Sequence, residues 1–252
     1  MKSASDPFLH HPELREKISD PLKSFFRDFN PLEAFKQWPE LHWAIEKLHT
    51  EDFRQASRRR ALCSHDTGDL WIFAYGSLMW DPAFVFTDVR RARVPDHARR
   101  FILKETLGGR GTREAPGLMA ALDKGHGCDG LVYKIPRDRI EAETENLWRR
   151  EMIAPGYIPQ FVDAQIDDMS VRALTFVADY EADTIQPDLH RDEQIECLTS
   201  GEGVLGTSME YLENIVNQFS ALGIIDEECL ALLQDAQANR TTHQTGLEER
   251  NQ

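Results

Sequence analysis

An unbroken apolar run that stops at a glycine constrains the fold of this 252-residue chain more than any other feature. Residues 70–75 are apolar without alternation and rich in aromatic side chains, which is typical of a strand buried on both faces. Gly76 and Ser77 follow at once and predict a turn directly off the strand. The backbone N–H groups of such a turn can converge on an anion or a developing oxyanion, although an ordinary structural turn explains the same residues.

The charge balance argues against a nucleic-acid partner. The chain carries 43 acidic and 29 basic residues, for a formal net charge of −14, and a polyanion would be repelled by that balance. We expect the short basic run Arg58-Arg59-Arg60 to be a solvated face. No run approaches the roughly 18 apolar residues that a membrane span needs, and the first residues lack the apolar segment of a signal peptide.

The cysteines indicate a reducing compartment. Cys63, Cys128, Cys197 and Cys229 stand far apart, without a Cys-x-x-Cys pair that would indicate zinc or redox chemistry. We therefore expect reduced thiols in a soluble cytoplasmic protein that does not associate with membranes. Two histidines, His42 and His49, lie two turns apart without a third ligand and are expected to be structural rather than metal-binding.

The chain divides into three parts. An N-terminal helical extension (residues 1–68) contains caps at Asp20-Pro21 and Asn30-Pro31 and a helical spacing of Leu22, Phe25, Phe26 and Phe29. A core (residues 69–237) contains predicted strands at 70–75, up to Val94, 100–105, 118–122, 130–135, 161–166 and 171–177. One helix, at 137–152, interrupts these strands, and helices return after Asp188, one of them with a Thr207–Glu210 capping box. A last helix is predicted to end near Gln237, before a polar tail (residues 238–252).

One carboxylate is predicted on the inward face of the interrupting helix. Ile140, Thr144, Leu147 and Trp148 form its stripe, and three residues further on the same stripe reaches Glu151. Partial desolvation there would raise the pKa of the carboxyl group and suit it to exchange protons near neutral pH. A structural ion pair with Arg149 or Arg150 explains the position equally well, since such pairs also perturb pKa values.

Other candidate motifs are less specific. Ser77 lacks the Gly-x-Ser-x-Gly surroundings of a hydrolase nucleophile. The glycine-rich segment 108–112 lacks the Gly-Lys-Ser/Thr ending of a P-loop, so we expect a connecting or substrate-side loop. Tyr157 places a phenol shortly after the carboxylate of Glu151, in a turn with Pro155 and Gly156.

Several ordered segments carry a resemblance to one family. They are Trp-Ile-Phe-Ala-Tyr-Gly-Ser-Leu-Met-Trp at 71–80, Gly-Arg-Gly-Thr at 109–112 with Pro116-Gly117, Gly-Leu-Val-Tyr-Lys-Ile-Pro at 130–136, Trp-Arg-Arg-Glu-Met-Ile at 148–153, Gly-Tyr-Ile-Pro at 156–159, and Leu-Gly-Thr at 205–207 with Tyr211-Leu212. Together they resemble the ChaC-type gamma-glutamylcyclotransferases, which act on glutathione. The resemblance covers residues 69–236. Ala74 stands where the family usually has glycine, and the extension lies outside the family core.

The resemblance implies an α+β fold and a lyase. The expected fold is a small mixed β-barrel, closed or nearly closed, flanked by helices and with the substrate cavity at its mouth. In the expected reaction, the α-amine of a γ-glutamyl group attacks its own γ-amide carbonyl, and glutathione yields 5-oxoproline and cysteinylglycine. Glu151 is the implied general base and acid, and the reaction needs no metal, nucleotide or redox cofactor.

The resemblance also implies a set of substrate-binding residues. The turn, represented by Ala74, Tyr75, Gly76, Ser77, Leu78 and Met79, would present backbone N–H groups to the glutamyl carboxylate or to the oxyanion. Tyr157 and Tyr211 are expected to donate hydrogen bonds to the substrate, and Arg113 to meet a substrate carboxylate. The core would then be the catalytic domain. No protein partner is predicted.

Two further interpretations remain open from the sequence. The first keeps the fold and Glu151 but changes the substrate to another γ-glutamyl peptide or a γ-glutamylamine. The second is a non-catalytic protein that binds a γ-glutamyl metabolite. Glu151 within an intact motif argues against the second, because binding alone requires no general base.

Overall fold

The computed structural model of the protein describes residues 6–65 and 68–250, the last nine by backbone alone. The chain forms two compact units. The first consists of Met1–Arg100 and Ala121–Asp183, and the second of Phe101–Ala120 and Thr184–Gln252. Within the described residues the strands are β1 (Leu70–Ala74), β2 (Asp88–Val94), β3 (His97–Glu105), β4 (Gly117–Lys124), β5 (Cys128–Ile135), β6 (Tyr157–Ile166), β7 (Met169–Ala178), β8 (Glu202–Gly203) and β9 (Gly206–Thr207).

Five strands of the first unit close into a barrel. They pair in the order β1-β5-β2-β6-β7, and β7 also pairs with β1. This last contact is parallel, with Trp71 opposite Ala173, whereas the other four are antiparallel. The predicted mixed β-barrel within an α+β fold is confirmed. Closure matters physically because it leaves no unpaired edge among these strands.

Strand β1 contributes apolar side chains to the core of the barrel. Leu70, Ile72, Phe73 and Ala74 are all buried, as the unbroken apolar run predicts. Strands β6 and β7 form a hairpin in which Ile166 pairs with Met169. Asp167 lies in its two-residue turn with a φ of 48°, a left-handed conformation that aspartate tolerates better than most residues.

The α-helices of the described chain are α1 (Pro31–Gln37), α2 (Glu51–Leu62), α3 (Ile140–Glu151), α4 (Arg191–Ser200), α5 (Ser208–Leu222) and α6 (Glu227–Arg250). Helix α5 begins with the predicted capping box of Thr207 and Glu210 and ends at Gly223, whose φ is 61°. Helix α6 continues past Gln237, where the sequence predicts its end. Few helix-breaking residues follow Gln237, so the backbone hydrogen bonding continues.

One predicted helix of the extension is wrong. The spacing of Leu22, Phe25, Phe26 and Phe29 predicts an amphipathic helix, but only a 3₁₀-helix at Pro21–Lys23 forms. Ser24 is extended, and its hydroxyl accepts the N–H of Phe26, a local bond that competes with helix formation. As a result Leu22 is 64% exposed and Phe25 55% exposed, while Phe26 and Phe29 are buried.

The basic run in α2 is only partly a solvated face. Arg58 is buried, and its Nη1 donates to Thr144 Oγ1 of α3 at 3.2 Å. The same guanidinium pairs with Glu141. Packing of α2 against α3 therefore withdraws this arginine from solvent, which the run of like charges does not predict.

The second unit has its own organisation. It holds the end of β3, the start of β4, and helices α4 to α6. An isolated bridge joins Leu103 to Ile185, and the N–H of Gln186 donates to the carbonyl of Ile102 at 2.7 Å. Arg191 at the start of α4 pairs with Glu228 and Asp235 of α6.

Candidate active site

Side chains from other parts of the chain hold the turn after β1 by donating hydrogen bonds to its carbonyl groups. Ser77–Met79 forms a single 3₁₀ turn directly after the strand. The carbonyl of Tyr75 accepts from Arg99 Nε at 2.6 Å, and the carbonyl of Met79 accepts from the Tyr133 hydroxyl at 2.9 Å. Buried donors therefore fix both ends of the turn. Gly76 has a φ of −136°, so the turn forms without the left-handed conformation that glycine favours.

The N–H groups of the turn divide into two sets. Those of Met79 and Trp80 donate within the turn, to the carbonyls of Gly76 and Ser77. Those of Ser77 and Leu78 lie at the N-terminal end of the 3₁₀-helix, where the first N–H groups have no partner inside the helix. The side chains of Ala74, Leu78 and Met79 are buried, so these residues offer only their backbone to a ligand.

Glu151 is the last residue of α3, and its side chain is 14% exposed. Burial raises the pKa of its carboxyl group above the ordinary value, Arg150 opposes that rise, and Asp81 adds to it. The ion pair with Arg150 that the sequence allows is present, at 3.1 Å between Arg150 Nε and Glu151 Oε1. Desolvation nevertheless outweighs the attraction of the guanidinium.

Arg150 connects the carboxylate to the turn. Its side chain is 4% exposed, and its Nη2 donates to Ser77 Oγ at 2.9 Å. Its Nη1 donates to the carbonyl of Asp81. One guanidinium therefore contacts both Glu151 and the turn after β1, so these two elements lie close together.

The sequence does not predict the part that three residues take in this arrangement. Arg99 and Tyr133 hold the turn, and Arg150 joins the turn to Glu151. A signal for the last was available, because Glu143, Leu147 and Arg150 follow one another at spacings of four and three, as residues on one helix face do. All three are buried. No pattern in the sequence indicates that Arg99 and Tyr133 hold the turn, since Arg99 lies on β3 and Tyr133 on β5, both far from the turn along the chain.

Tyr75 and Tyr157 have different surroundings. The Tyr75 hydroxyl donates to the carbonyl of Phe176 at 2.8 Å, so its phenol supports the barrel. Tyr157 is the first residue of β6 and is half-buried. With Met152, His49 and Phe53 it lines a cavity of about 600 Å³.

Arg113 and Tyr211 belong to the second unit. Arg113 is exposed. Tyr211 is buried in α5, with the guanidinium of Arg110 5.3 Å from its ring centroid and the ring of Phe101 at 6.3 Å.

The glycine-rich loop of the second unit is organised around a buried carboxylate, Glu105. It accepts the N–H groups of Leu107 and Arg110, both at 2.6 Å. Burial raises the pKa of Glu105, and these backbone donors oppose the rise. A Cβ added at Gly111 would lie 1.9 Å from the Gly117 nitrogen, so close backbone packing explains this glycine. The loop thus directs N–H groups at a carboxylate of its own chain.

No cluster of three or more histidine, cysteine or acidic side chains with metal-binding geometry occurs among the residues that the structure describes. In that part of the chain, no helix is both long and apolar enough to cross a membrane. Cys63 is exposed, whereas Cys128, Cys197 and Cys229 are buried.

A family model described as "ChaC-like protein" matches residues 70–239, which is more than half of the chain. The chain belongs to the ChaC-like family. The resemblance predicted from the sequence motifs is therefore confirmed, and the matched segment includes the turn after β1, Arg150 and Glu151.

Two relatives are similar to this chain over most of their own length. The "Glutathione-specific gamma-glutamylcyclotransferase" of Escherichia coli is 36% identical over 188 residues, which cover 73% of this chain and 81% of that protein. The human "Glutathione-specific gamma-glutamylcyclotransferase 1" is 29% identical, over 68% of this chain and 79% of that protein.

The fold has a counterpart among solved structures. A yeast gamma-glutamylcyclotransferase specific to glutathione superposes with a TM-score of 0.62 at 19% identity, over 68% of this chain and 97% of that one. At this identity the likeness concerns the fold, and it confirms the predicted gamma-glutamylcyclotransferase-like barrel.

Proposed function

We propose that this protein is a lyase that cleaves glutathione to 5-oxoproline and cysteinylglycine, with Glu151 as the general base and acid. The observation that carries the proposal is the surroundings of Glu151. It is a carboxyl group of raised pKa, joined through one guanidinium to the turn after β1. Family membership and the names of the relatives support the same reaction.

The chemistry requires little from the protein beyond position and proton transfer. The α-amine nitrogen of the γ-glutamyl group forms a bond to its own γ-carbonyl carbon, and the bond from that carbon to the cysteinyl nitrogen then breaks. Nucleophile and electrophile belong to one molecule, so a pocket that folds the substrate into the attacking conformation lowers the entropic part of the barrier. No oxidant or reductant takes part.

Proton transfer is the step that needs Glu151. The attacking amine is mostly an ammonium ion at neutral pH and must lose a proton, while the departing nitrogen must gain one. A carboxylate with a raised pKa accepts the first proton and donates it in the second step, because its pKa lies nearer the working pH than that of an exposed glutamate. The same group thus serves both steps without a second acid.

The turn after β1 is proposed to bind negative charge. The N–H groups of Ser77 and Leu78 lie at the start of the 3₁₀ turn, where they can face a glutamyl carboxylate or the developing oxyanion. Arg99, Tyr133 and Arg150 hold the rest of the turn through their hydrogen bonds. A turn fixed in advance needs little reorganisation during the reaction. Tyr157, Tyr211 and Arg113 remain proposed contacts of the substrate.

The direct test incubates the pure protein with glutathione and follows the products by mass spectrometry. Equimolar 5-oxoproline and cysteinylglycine are expected, without added metal or cofactor. Glutamate and cysteinylglycine in place of 5-oxoproline would indicate hydrolysis and would contradict the cyclisation.

A substrate panel separates the proposal from its alternatives. Glutathione, other γ-glutamyl dipeptides and γ-glutamylamines are compared at equal concentration, with 5-oxoproline quantified. A clear preference for a compound other than glutathione would keep the reaction and change the substrate. Tight binding of glutathione without turnover would instead support the non-catalytic binding protein.

A further inference from the structure

The helical extension supplies an aromatic ring to the candidate active site. Phe26 is buried, and the guanidinium carbon of Arg150 lies 4.4 Å from its ring centroid. This is within the distance at which a cation is attracted to an aromatic face. Phe26 belongs to the part of the chain that precedes the ChaC-like segment, which begins at residue 70.

Two other residues of the extension, Ser19 and Arg27, hold the chain just beyond the turn. The N–H of Ser19 donates to the carbonyl of Trp80 at 2.8 Å, and Arg27 Nη1 donates to the carbonyl of Ala83 at 3.3 Å. Ala83 is buried and has a φ of 58°, a conformation that non-glycine residues adopt only when their surroundings enforce it. The extension therefore constrains the same loop that Arg150 contacts.

We propose that Phe26 is a positioning residue for the cyclisation reaction, because its ring holds the Arg150 guanidinium where it contacts Ser77 and Glu151. The inference rests on the proposed function. The extension would then contribute to the reaction through one aromatic ring, which packs against the guanidinium that joins Glu151 to the turn after β1.

An aromatic ring is suited to holding Arg150 because it does not accept hydrogen bonds from the N–H groups that Arg150 directs at its other partners. Those N–H groups are directed at Ser77, the Asp81 carbonyl and Glu151. A carboxylate in the same place would compete for them and would neutralise the charge that acts on Glu151. An aromatic face stabilises a guanidinium withdrawn from water and leaves its hydrogen-bonding edge available.

A displaced Arg150 would alter the titration of Glu151. The charged groups that act on Glu151 are Arg150, which lowers the pKa of its carboxyl group, and Asp81, which raises it. Tyr133 adds no charge, because burial raises the pKa of its phenol well above the ordinary value. If the guanidinium moves away, the lowering influence weakens, and the pKa of Glu151 rises further.

The test compares Phe26→Leu with Phe29→Leu. Phe29 is the matched control, since it is also buried and its ring lies 5.4 Å from that of Phe26 in the same cluster. Phe26→Tyr is the conservative rescue, because it keeps the aromatic face. A fourth protein carries 3,4,5-trifluorophenylalanine at position 26, which preserves the shape of the ring but withdraws charge from its face. This last protein keeps the test informative if Phe26→Leu does not fold.

Two readouts are measured on each protein. One is the pH dependence of kcat and KM for 5-oxoproline release from glutathione. The other is the titration of the Glu151 carboxyl carbon by NMR on protein labelled with ¹³C-glutamate, assigned with Glu151→Gln. The second readout requires no turnover. If the wild-type protein forms no 5-oxoproline, the proposed function fails, while the titration still tests whether the ring of Phe26 holds the Arg150 guanidinium beside Glu151.

We expect Phe26→Leu and the fluorinated ring to raise the pKa of Glu151 and to lower kcat at little change in KM. The loss in kcat should be about tenfold, given that a misplacement of roughly 1 Å in a catalytic arrangement can cost about 100-fold. Phe29→Leu and Phe26→Tyr should remain near the wild-type values in both readouts. An unchanged Glu151 titration in the fluorinated protein, or an equal shift in Phe29→Leu, would overturn the proposal.

Discussion

Arg150 Nε lies 3.1 Å from Oε1 of the next residue in the chain, Glu151. Consecutive residues on a helix do not face each other, so this contact needs a cause outside the helix. Helix α3 ends at Glu151, and Ser77 and the Asp81 carbonyl accept hydrogen bonds from the same guanidinium. The partners of Arg150 thus bring the turn after β1 to the carboxylate at the end of α3.

Replacing the proposed general base should abolish the reaction and leave the fold intact. Glu151→Gln keeps the size of the side chain but cannot accept the ammonium proton, so 5-oxoproline release should fall by at least about 100-fold, the lower range for loss of general acid–base catalysis. Product formation is measured by mass spectrometry, and folding by circular dichroism. Glu145→Gln is the control on the same helix, where the carboxylate pairs with Arg149. Turnover of Glu151→Gln within a few fold of wild type would refute the assignment.

Removing the charge of Arg150 should move the acid limb of the pH profile. Arg150 lowers the pKa of Glu151, so Arg150→Met should raise it further. The reaction needs ionised Glu151, and activity is lost as pH falls through that pKa. The acid limb of kcat/KM should therefore shift to higher pH, with a lower plateau because Ser77 and the Asp81 carbonyl lose their donor. Arg149→Met is the control and should leave the limb in place.

The same carboxylate should reduce stability as pH rises. The pKa of Glu151 is raised in the folded protein, so folding favours the protonated form. Below the pKa that Glu151 has in the unfolded chain, the carboxyl group is protonated in both states and does not destabilise the fold. The destabilisation grows as the pH rises from that value to the higher pKa of Glu151 in the folded protein. Glu151→Gln resembles the protonated group, and its unfolding free energy relative to wild type should increase from pH 4 to pH 7. Urea denaturation across that range measures the difference, and a difference that shrinks with pH would contradict the argument.

The stability of the protein should depend on a buried ion pair between Arg27 of the extension and Glu143 of α3. Glu143 of α3 is 1% exposed and accepts from Arg27 and from the N–H of Val85. Arg27→Met leaves this carboxylate without its main partner, which should cost about 3–5 kcal/mol of stability. The double variant Arg27→Met/Glu143→Leu should recover part of that loss, because it removes the unpaired carboxylate, while the N–H of Val85 loses its acceptor. Lys36→Met, which breaks an exposed pair with Glu33, is the control and should change stability by under about 1 kcal/mol. Urea midpoints compare the four proteins.

Local patterns in the sequence predict much of the fold. The run at residues 70–75 predicts a buried strand, and β1 is one. Thr207 and Glu210 predict the start of α5, which they cap. The 3.6-residue period of α3 carries Glu151 onto a largely buried face. These features depend on residues within a few positions of one another, where backbone geometry alone relates spacing to direction.

Contacts between distant segments depend on the tertiary structure. The barrel closes where Trp71 pairs with Ala173, and Arg27 meets Glu143 across 116 residues of chain. No period in the sequence relates such pairs, because their proximity follows from packing that the whole fold decides. Phe26 illustrates the difference. Helical spacing predicts that its side chain is buried, but the helix on which that prediction rests does not form. Only the folded chain places its ring against the guanidinium of Arg150. The sequence by itself determined the family, the seven strands of the large sheet and the inward face of α3 on which Glu151 lies, whereas the tertiary structure decided that Arg150 contacts Glu151 and that Phe26 packs against the Arg150 guanidinium.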